Sequence, residues 1–278
     1  MPILKRDAVS VKYEVRGEGA PVILVNGLAL IGKLWDFVAD GLAERGHQVV
    51  TLDNRGVGDT VIPEDAQWTI ADMSEDVLAI ADTLGWDTFN LGGLSMGGMI
   101  TQHLMITSRA RLRSAVLMAT APGMVLPGSE DGPKVDPPSP QAMQILSRPP
   151  DPEDMEGMQR NMVEALCGPN FAEKNPEKLK WFIGVQKDYP MDMKGVMGQM
   201  QALMAFKPWN ELPNTNTPTV VIHGDTDQLL TYSNGRALSE QIPGAQLVTA
   251  PDSGHLLFME QPELLIDTIS AHIAANAP

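Results

Sequence analysis

One stretch decides the fold of this chain: Phe89-Asn90-Leu91-Gly92-Gly93-Leu94-Ser95-Met96-Gly97-Gly98-Met99-Ile100. An apolar run that ends at Leu91 indicates a buried strand, and an apolar stretch of helical length and period begins at Gly97. Within it, residues 93–97 have the spacing Gly-x-Ser-x-Gly. Ser95 therefore lies on a tight turn between strand and helix, where a Cβ at position 93 or 97 would collide with neighbouring backbone. We predict that Ser95 is a nucleophile.

The size and charge of the chain limit its architecture and its partners. With 278 residues it can bury a sizeable single core, and one large domain with an insertion fits as well as two small domains. The formal net charge of −15 disfavours a nucleic-acid partner and an anionic membrane surface, because both require a basic footprint. We expect no nucleic-acid and no membrane partner.

The cellular compartment is predicted from cysteine usage and from the N-terminus. Cys167 is the only cysteine, so an intrachain disulfide is impossible and an oxidising compartment is not required. The first residues lack the basic-then-apolar plan of a signal peptide, and no run reaches eighteen apolar residues. We expect a soluble, cytoplasmic protein.

Strands and helices alternate through most of the sequence. Short continuous apolar runs indicate strands that are covered on both faces, and apolar residues at helical spacing lie between them. Such alternation predicts an α/β fold with a mostly parallel sheet and helices on both faces. The expected strands are 9–15, 22–25, 48–52, up to 91, 114–119, 218–223 and 246–249, and the expected helices are 34–42, 69–84, 97–106, 236–241 and 262–274.

The alternation stops at Pro122 and resumes at Pro218. The segment between them is rich in proline, which neither continues a helix nor donates in a central strand, so these residues are expected outside the sheet. Helices are expected within it at about 151–166, 177–185 and 193–205. The sequence thus predicts a core formed by residues 1–121 and 214–278, with a mainly helical insertion at 122–213.

A serine hydroxyl needs a positioned base, usually histidine, and a carboxylate that orients this base. His255 is the favoured base because it ends the loop 251–255, directly after a predicted strand, where catalytic groups gather in open α/β sheets. Asp225 and Asp227 follow another strand and supply two candidates for the acid, although either could merely cap a turn. Of the two, we favour Asp227. The other histidines, His47, His103, His223 and His272, are predicted to be structural or surface residues.

These motifs together resemble the α/β-hydrolase fold with an inserted cap, in the group of esterases, lactonases and cofactor-free haloperoxidase-like perhydrolases. The resemblance covers nearly the whole chain outside the insertion. It implies that Asp227, the last residue of a Gly-x-x-Asp motif, is the acid and that Gly254-His255 carries the base. The loop 53–58 matches a further family motif and is interpreted as a structural turn. Serine at position 95 argues against an epoxide hydrolase or dehalogenase, in which this residue would be aspartate.

One departure from the family concerns the loop after the second predicted strand. The family usually carries His-Gly there, and this chain has Asn26-Gly27. The backbone N–H groups of Leu28 and Met96 are still expected to form the oxyanion hole, worth about 3–4 kcal/mol per donor in the transition state. Asn26 either shapes the pocket and contacts substrate or is a structural amide that ties down the loop.

The insertion carries a stripe of methionines at helical spacing, Met193, Met197, Met200 and Met204. Two interpretations remain open: the stripe packs the cap onto the main domain, or its flexible thioethers line an adaptable apolar pocket. Gly195 and Gly198 weaken this helix, which would suit a segment that moves. Either interpretation predicts an uncharged substrate with an apolar acyl or alcohol part.

The expected function is hydrolysis of a carboxylic ester or lactone by Ser95, His255 and Asp227. No cofactor and no metal are expected, because the sequence has no His-Glu-x-x-His, no Cys-x-x-Cys pair and no Gly-x-Gly-x-x-Gly after an early strand. Two alternatives use the same residues. One is a perhydrolase in which hydrogen peroxide replaces water, and the other is a ligand-binding receptor that kept the fold and the three residues.

Overall fold

A single mixed sheet organises the computed structural model, which describes residues 2–6, 8–124, 131–148, 154–189 and 192–277. Its strand order is β1-β2-β4-β3-β5-β6-β7-β8. The strands from β3 to β8 run parallel to one another, whereas β1 and β2 are antiparallel additions at one edge. The strands are β1 Ile3–Arg6, β2 Val9–Arg16, β3 Ala20–Val25, β4 His47–Leu52, β5 Phe89–Leu94, β6 Leu112–Met118, β7 Thr219–Gly224 and β8 Gln246–Ala250.

Eleven α-helices are found in the described residues, together with short 3₁₀ turns such as Gly32–Trp35, which precedes α1. Among the described residues no helix has the length and apolar character needed to span a bilayer. The helices are α1 Asp36–Glu44, α2 Ile70–Thr83, α3 Met96–Thr107, α4 Pro140–Leu146, α5 Met155–Leu166, α6 Phe171–Lys174, α7 Pro176–Asp188, α8 Met193–Ala205, α9 Tyr232–Gln241, α10 Leu257–Glu260 and α11 Pro262–Ala275.

Helices cover both faces of the sheet, as the alternating pattern predicted. On one face α1 and α11 build a core around Trp35, whose ring meets that of Phe258 edge-on at 5.9 Å. On the other face α2, α3 and α9 enclose a second core that includes Met73 and Ile100. The central strands β5 and β7 are buried along their whole length and consist mostly of apolar residues, because helices cover both of their faces.

The insertion between β6 and β7 is helical in its described part and contains α4 to α8. Helix α8 has the predicted bounds, and α5 begins at Met155, while residues 151–153 of the helix expected at 151–166 lie outside the described part of the chain. Sequence analysis missed α4, whose Pro140 occupies the first turn, where a missing N–H costs nothing. It also missed β1, which is only four residues long.

The glycines of α8 are packing positions, which corrects the expectation that they loosen the helix. A Cβ on Gly195 would lie 1.9 Å from the carbonyl oxygen of Gly56, and one on Gly198 would lie 2.5 Å from the Trp68 ring. The absence of a side chain therefore lets α8 lie directly against the loop after β4 and against Trp68.

The methionine stripe lies on the opposite side of α8, so the interpretation that it packs the insertion onto the main domain is wrong for these residues. All four side chains are exposed: Met193, Met197, Met200 and Met204. The buried face of the helix is formed by Gly195, Gln199, Ala202 and Leu203. Spacing alone found the stripe but not its direction, because the buried face has only one large apolar side chain, Leu203, beside two small residues and one amide.

Replacing Gly195 with alanine tests how α8 is seated. We expect Gly195→Ala to lower the free energy of unfolding by about 1–3 kcal/mol, because the new methyl group has no room beside Gly56. Gly184→Ala in α7 is the matched control: nothing lies within 4 Å of its Cβ position, so higher helix propensity should raise stability by about 0.5–1 kcal/mol. Urea unfolding measures both. A stabilising Gly195→Ala would contradict this packing of α8.

Candidate active site

Ser95 lies at the turn between β5 and α3, in a conformation that residues other than glycine seldom adopt. Its φ is +56° and its ψ is −117°. The turn fits only because glycines flank it: a Cβ on Gly93 would lie 2.0 Å from the Gly97 oxygen, and one on Gly97 would lie 2.1 Å from the Val25 oxygen. The structure thus confirms that a side chain at either glycine would collide with neighbouring backbone. The turn presents the Ser95 hydroxyl at the carboxyl edge of the sheet.

The loop after β3 lies directly against this serine. A Cβ on Gly27 would be 3.0 Å from the Ser95 Cβ and 3.6 Å from its hydroxyl oxygen. Leu28 follows in the same loop, and its N–H makes no hydrogen bond within the described ranges. Met96 is the first residue of α3, so its N–H has no acceptor within the helix. The two N–H groups predicted for the oxyanion hole thus lie in the loop beside Ser95 and in the residue after it.

Asn26 ties down this loop, which favours the structural interpretation of its amide. The residue is fully buried, and its Nδ2 donates to the carbonyl of Ile31 at the far end of the loop. Asn54 Nδ2 in turn donates to the Asn26 carbonyl at 3.0 Å. Asp53 accepts from Gly32 N–H at 2.7 Å, so the loop 53–58 acts as a structural turn, as expected.

Asp227 and His255 are paired at the neighbouring strand ends. His255 Nδ1 lies 2.8 Å from Asp227 Oδ2, and both residues are buried. The second carboxylate oxygen of Asp227 accepts from the N–H groups of Leu229 and Leu230, at 2.8 and 3.0 Å. Asp225, the other candidate acid, is exposed. Asp227 is therefore held rigidly with one oxygen turned to the imidazole.

His223 also borders Asp227, and sequence analysis did not anticipate this contact. Its Nε2 lies 3.6 Å from Asp227 Oδ2 and 2.6 Å from the carbonyl of Leu230. Burial alone would raise the pKa of the Asp227 carboxyl, but the charge of His255 and hydrogen bonds from His223 and His255 outweigh it and lower the pKa to about 2. Asp227 is therefore ionised at neutral pH. The sequence feature that could have indicated this contact is the four-residue spacing between His223, at the end of a strand, and Asp227.

Ser95, Asp227 and His255 all lie at the carboxyl edge of the parallel strands, after β5, β7 and β8. Within the described chain no hydrogen bond joins the Ser95 hydroxyl to the His255 ring. Bonds between a nucleophile and its base commonly tighten only when substrate is bound. The structure thus pairs His255 with Asp227 and places Ser95 at the same edge.

The loop that carries His255 rests on the insertion. The N–H of His255 donates to the carbonyl of Leu166, the last residue of α5. A Cβ on Gly168 would lie 2.0 Å from the Asp252 oxygen, so the two backbones touch. The Glu260 carboxylate accepts from the N–H of Gly168 at 2.6 Å and from that of Gly254 at 3.0 Å. The insertion and the histidine loop are therefore joined by backbone contacts and by one shared acid.

Glu260 is a second residue that sequence analysis missed, although a lone acid at the end of the apolar run 256–259 was visible. Burial raises the pKa of its carboxyl to about 7, because the N–H groups of Gly168 and Gly254 offset only part of the cost of burying the charge. The thiol of Cys167 adjoins it, and burial, reinforced by Glu260, raises the pKa of that thiol well above its usual value. Across the described ranges no cluster of three His, Cys, Asp or Glu side chains is arranged to hold a metal ion.

Glu260 gives the stability of the protein a characteristic pH dependence. A carboxyl whose pKa is higher in the folded state contributes stability that is complete below its unfolded pKa, near 4.5, and is lost as pH rises through about 7. Glu260→Gln removes this titration. We expect the wild type to lose about 1–3 kcal/mol relative to Glu260→Gln between pH 4.5 and pH 8.

Urea unfolding at several pH values measures this difference. Glu263→Gln is the matched control, because Glu263 is exposed on the next helix and its removal should leave the pH dependence unchanged. A difference between wild type and Glu260→Gln that does not change with pH would contradict the raised pKa.

Comparison with known proteins identifies the family. The family model described as alpha/beta hydrolase fold matches residues 20–262. The 3-oxoadipate enol-lactonase 1 of Acinetobacter baylyi is 26% identical over 273 residues, which cover 98% of this chain and 96% of that protein. The non-heme chloroperoxidase CPO-A1 of Kitasatospora aureofaciens is 24% identical over 266 residues, with coverage of 93% and 94%.

The fold is also found among solved structures. The crystal structure of the enol-lactonase from Burkholderia xenovorans LB400 superposes with a TM-score of 0.82 at 24% identity, covering 98% of this chain and all of that one. At this identity the likeness concerns the fold alone. Together with the family match across most of the chain, it shows that this protein belongs to the alpha/beta hydrolase family.

Proposed function

We propose that this protein is a serine hydrolase that cleaves a carboxylic ester or a lactone through an acyl-enzyme. The observation that carries the proposal is the Ser95 turn at the same sheet edge as the Asp227–His255 pair. A nucleophile on a tight turn, a base and an acid that orients the base are the parts that such chemistry requires. The enol-lactonase relative supports the ester or lactone class.

In the acylation step, the Ser95 hydroxyl oxygen attacks the carbonyl carbon while His255 Nε2 takes its proton. Asp227 accepts from His255 Nδ1–H, which fixes the tautomer and stabilises the imidazolium. The N–H groups of Leu28 and Met96 hold the oxyanion of the tetrahedral intermediate. Collapse breaks the bond to the alkoxy oxygen, which receives the proton from His255 and leaves as an alcohol, or remains attached as a hydroxyl when the substrate is a lactone.

Water completes the cycle by reversing these roles. His255 takes a proton from water, the hydroxide oxygen bonds to the acyl carbon, and the second tetrahedral intermediate forms in the same oxyanion hole. Its collapse releases the carboxylic acid and returns the proton to Ser95. No group other than the substrate and water is consumed, so the three side chains and two backbone donors suffice.

The insertion at residues 122–213 is proposed to act as the cap over this site. Its contacts with the loops around Gly56 and His255 support this role, because both loops follow parallel strands and lie at the same sheet edge as the Ser95 turn. An uncharged small or medium-sized substrate with an apolar part suits the net charge of −15, which repels polyanions.

Removal of the Ser95 hydroxyl tests the proposed function directly. We expect wild-type protein to hydrolyse p-nitrophenyl esters between acetate and decanoate, or γ-lactones, and Ser95→Ala to lose at least about 10³-fold in kcat/KM. Ser239→Ala is the control, because the Ser239 hydroxyl donates to the Arg236 carbonyl within its own helix. If Ser95→Ala keeps most of the activity, the assignment is wrong. Tight lactone binding without turnover would instead indicate the receptor alternative.

Asp227 and Asp225 provide a matched pair of substitutions two residues apart. We expect Asp227→Asn to lower kcat about 10³- to 10⁴-fold, because an amide cannot hold the required His255 tautomer or stabilise its positive charge. Asp225→Asn should leave kcat within about twofold, since that side chain is exposed. Steady-state kinetics of both variants measures the difference. Equal effects would show that Asp227 does not act on His255.

A second candidate function is perhydrolysis, which the similarity to the chloroperoxidase CPO-A1 favours. In this reaction hydrogen peroxide replaces water at the acyl-enzyme, its oxygen bonds to the acyl carbon, and a peroxy acid leaves. The measurement that separates the two functions compares peroxy-acid formation from acetate with ester hydrolysis in the same preparation. Faster peroxy-acid formation would make perhydrolysis the main activity.

A further inference from the structure

Gln199 connects two loops at the catalytic edge of the sheet. It lies on the buried face of α8, and its side chain is fully buried. Its Oε1 accepts from the N–H of Ala29 at 2.8 Å, and its Nε2 donates to the carbonyl of Arg55, also at 2.8 Å. Both ends of one amide are therefore used, and both bonds are to backbone groups far away in the sequence.

Ala29 directly follows Leu28, whose N–H is assigned to the oxyanion hole. Ala29 has a φ of +62°, a left-handed conformation that costs a residue with a Cβ about 1 kcal/mol or more. Without a restraint the peptide between Leu28 and Ala29 would relax by rotating. Such a rotation changes ψ of Leu28 and φ of Ala29, and thereby the shape of the turn 27–30, to which the Leu28 N–H belongs. The bond from Ala29 N–H to Gln199 opposes this rotation.

The backbone that presents Gln199 is itself fixed. One turn earlier, Gly195 touches the backbone of Gly56, and the adjacent Gly198 packs on Trp68. The Gln199 side-chain amide is thus presented by a helix that packs against the loop 53–58, which fixes its position for the bond to Ala29. An anchored donor or acceptor restrains its partner far better than one on a mobile side chain, because less entropy is lost on forming the bond.

We propose that Gln199 is a positioning residue that holds the loop 26–31 so that the Leu28 N–H points at the developing oxyanion. The inference rests on the proposed function, since it assigns the insertion a part in that reaction. Gln199 touches neither Ser95 nor the reacting atoms by this account. It acts through Ala29, and it makes the oxyanion hole depend on the insertion as well as on β3 and α3.

The experiment compares Gln199→Met with Gln201→Met. Methionine matches glutamine in length and helix propensity but removes both hydrogen bonds, and Gln201 is an exposed residue of the same helix. Active enzyme is counted by titrating Ser95 with a fluorophosphonate, so that misfolded protein does not enter kcat. The kinetics of a p-nitrophenyl ester and the inhibition constant of a trifluoromethyl ketone, which forms an oxyanion on Ser95, are then measured.

For Gln199→Met we expect kcat and kcat/KM to fall together by about 10- to 100-fold, with KM within about twofold. The inhibition constant of the trifluoromethyl ketone should rise by the same factor. Gln201→Met should match the wild type in all three. A Gln199→Met enzyme with lower thermal stability but unchanged kcat and ketone affinity would overturn the proposal, because a purely structural residue gives that result.

Amide exchange in the wild type tests the bond even if Gln199→Met fails to fold. We expect the Ala29 N–H to exchange at least about tenfold more slowly than the Leu28 N–H, since only the former is bonded. Equal rates would overturn the proposal. Failure of the proposed function is recognised separately: wild-type Ser95 would then not react with the fluorophosphonate, whatever the exchange rates.

Discussion

The strained backbone of Ser95 is the constraint on which the site depends. A φ of +56° at a residue with a Cβ costs about 1–2 kcal/mol, so the neighbouring structure must enforce it. The Ser95 N–H donates to the Met118 carbonyl at 2.9 Å, and the Thr120 hydroxyl donates to the Ser95 carbonyl at 2.7 Å. Both partners lie at the end of β6. The pairing of β5 with β6 therefore holds Ser95 in place as well as building the sheet.

Similar strain recurs in the other loops of the site. Five non-glycine residues in the described ranges have positive φ, and four of them, Ala29, Ser95, Ala119 and Asp252, lie after β3, β5, β6 and β8. The insertion contacts two of these loops, through Gln199 at Ala29 and through the end of α5 at the histidine loop. Since strained conformations persist only where surrounding contacts over-determine them, the insertion helps to maintain the geometry of the sheet edge.

The sequence predicted the structure best where it depends on residues that are close together in the chain. The Gly-x-Ser-x-Gly motif, between an apolar run and a stretch with helical spacing, predicted the turn at Ser95. A side chain on the first glycine would collide with backbone four residues away, and one on the second would collide with the end of the adjoining strand. Helix α2 was equally clear, since apolar residues at helical spacing predicted it at 69–84; in the structure Thr69 and Asp72 form a capping box at its start. The pairing of Asp227 with His255 followed from the rule that parallel strands end at one edge, together with the family resemblance.

Contacts between distant segments could not be read from the sequence. The exposed methionines of α8 gave the stronger pattern, whereas its buried face consists of glycine, alanine, leucine and a glutamine, a composition that periodicity does not score as a core. Gln199 and Glu260 are likewise inconspicuous in sequence, because each bonds to a backbone group more than ninety residues away. Only the folded chain shows that these two polar residues join the insertion to the loops at the carboxyl edge of the sheet.

The two faces of α8 have different roles: one contacts the loops of the sheet edge, and the other is exposed to solvent. Gln199 and Gly195 face the loops of the sheet edge, where a change of one atom alters a hydrogen bond or a backbone contact. Met197, on the outer face, is 68% exposed and takes part in neither the hydrogen bonds of Gln199 nor the backbone contact of Gly195. Because additivity holds for residues without shared partners, substitutions on the outer face can change surface chemistry without moving the loop 26–31. A helix built this way lets the insertion vary in what it contacts while it continues to hold the loop beside Ser95 in place.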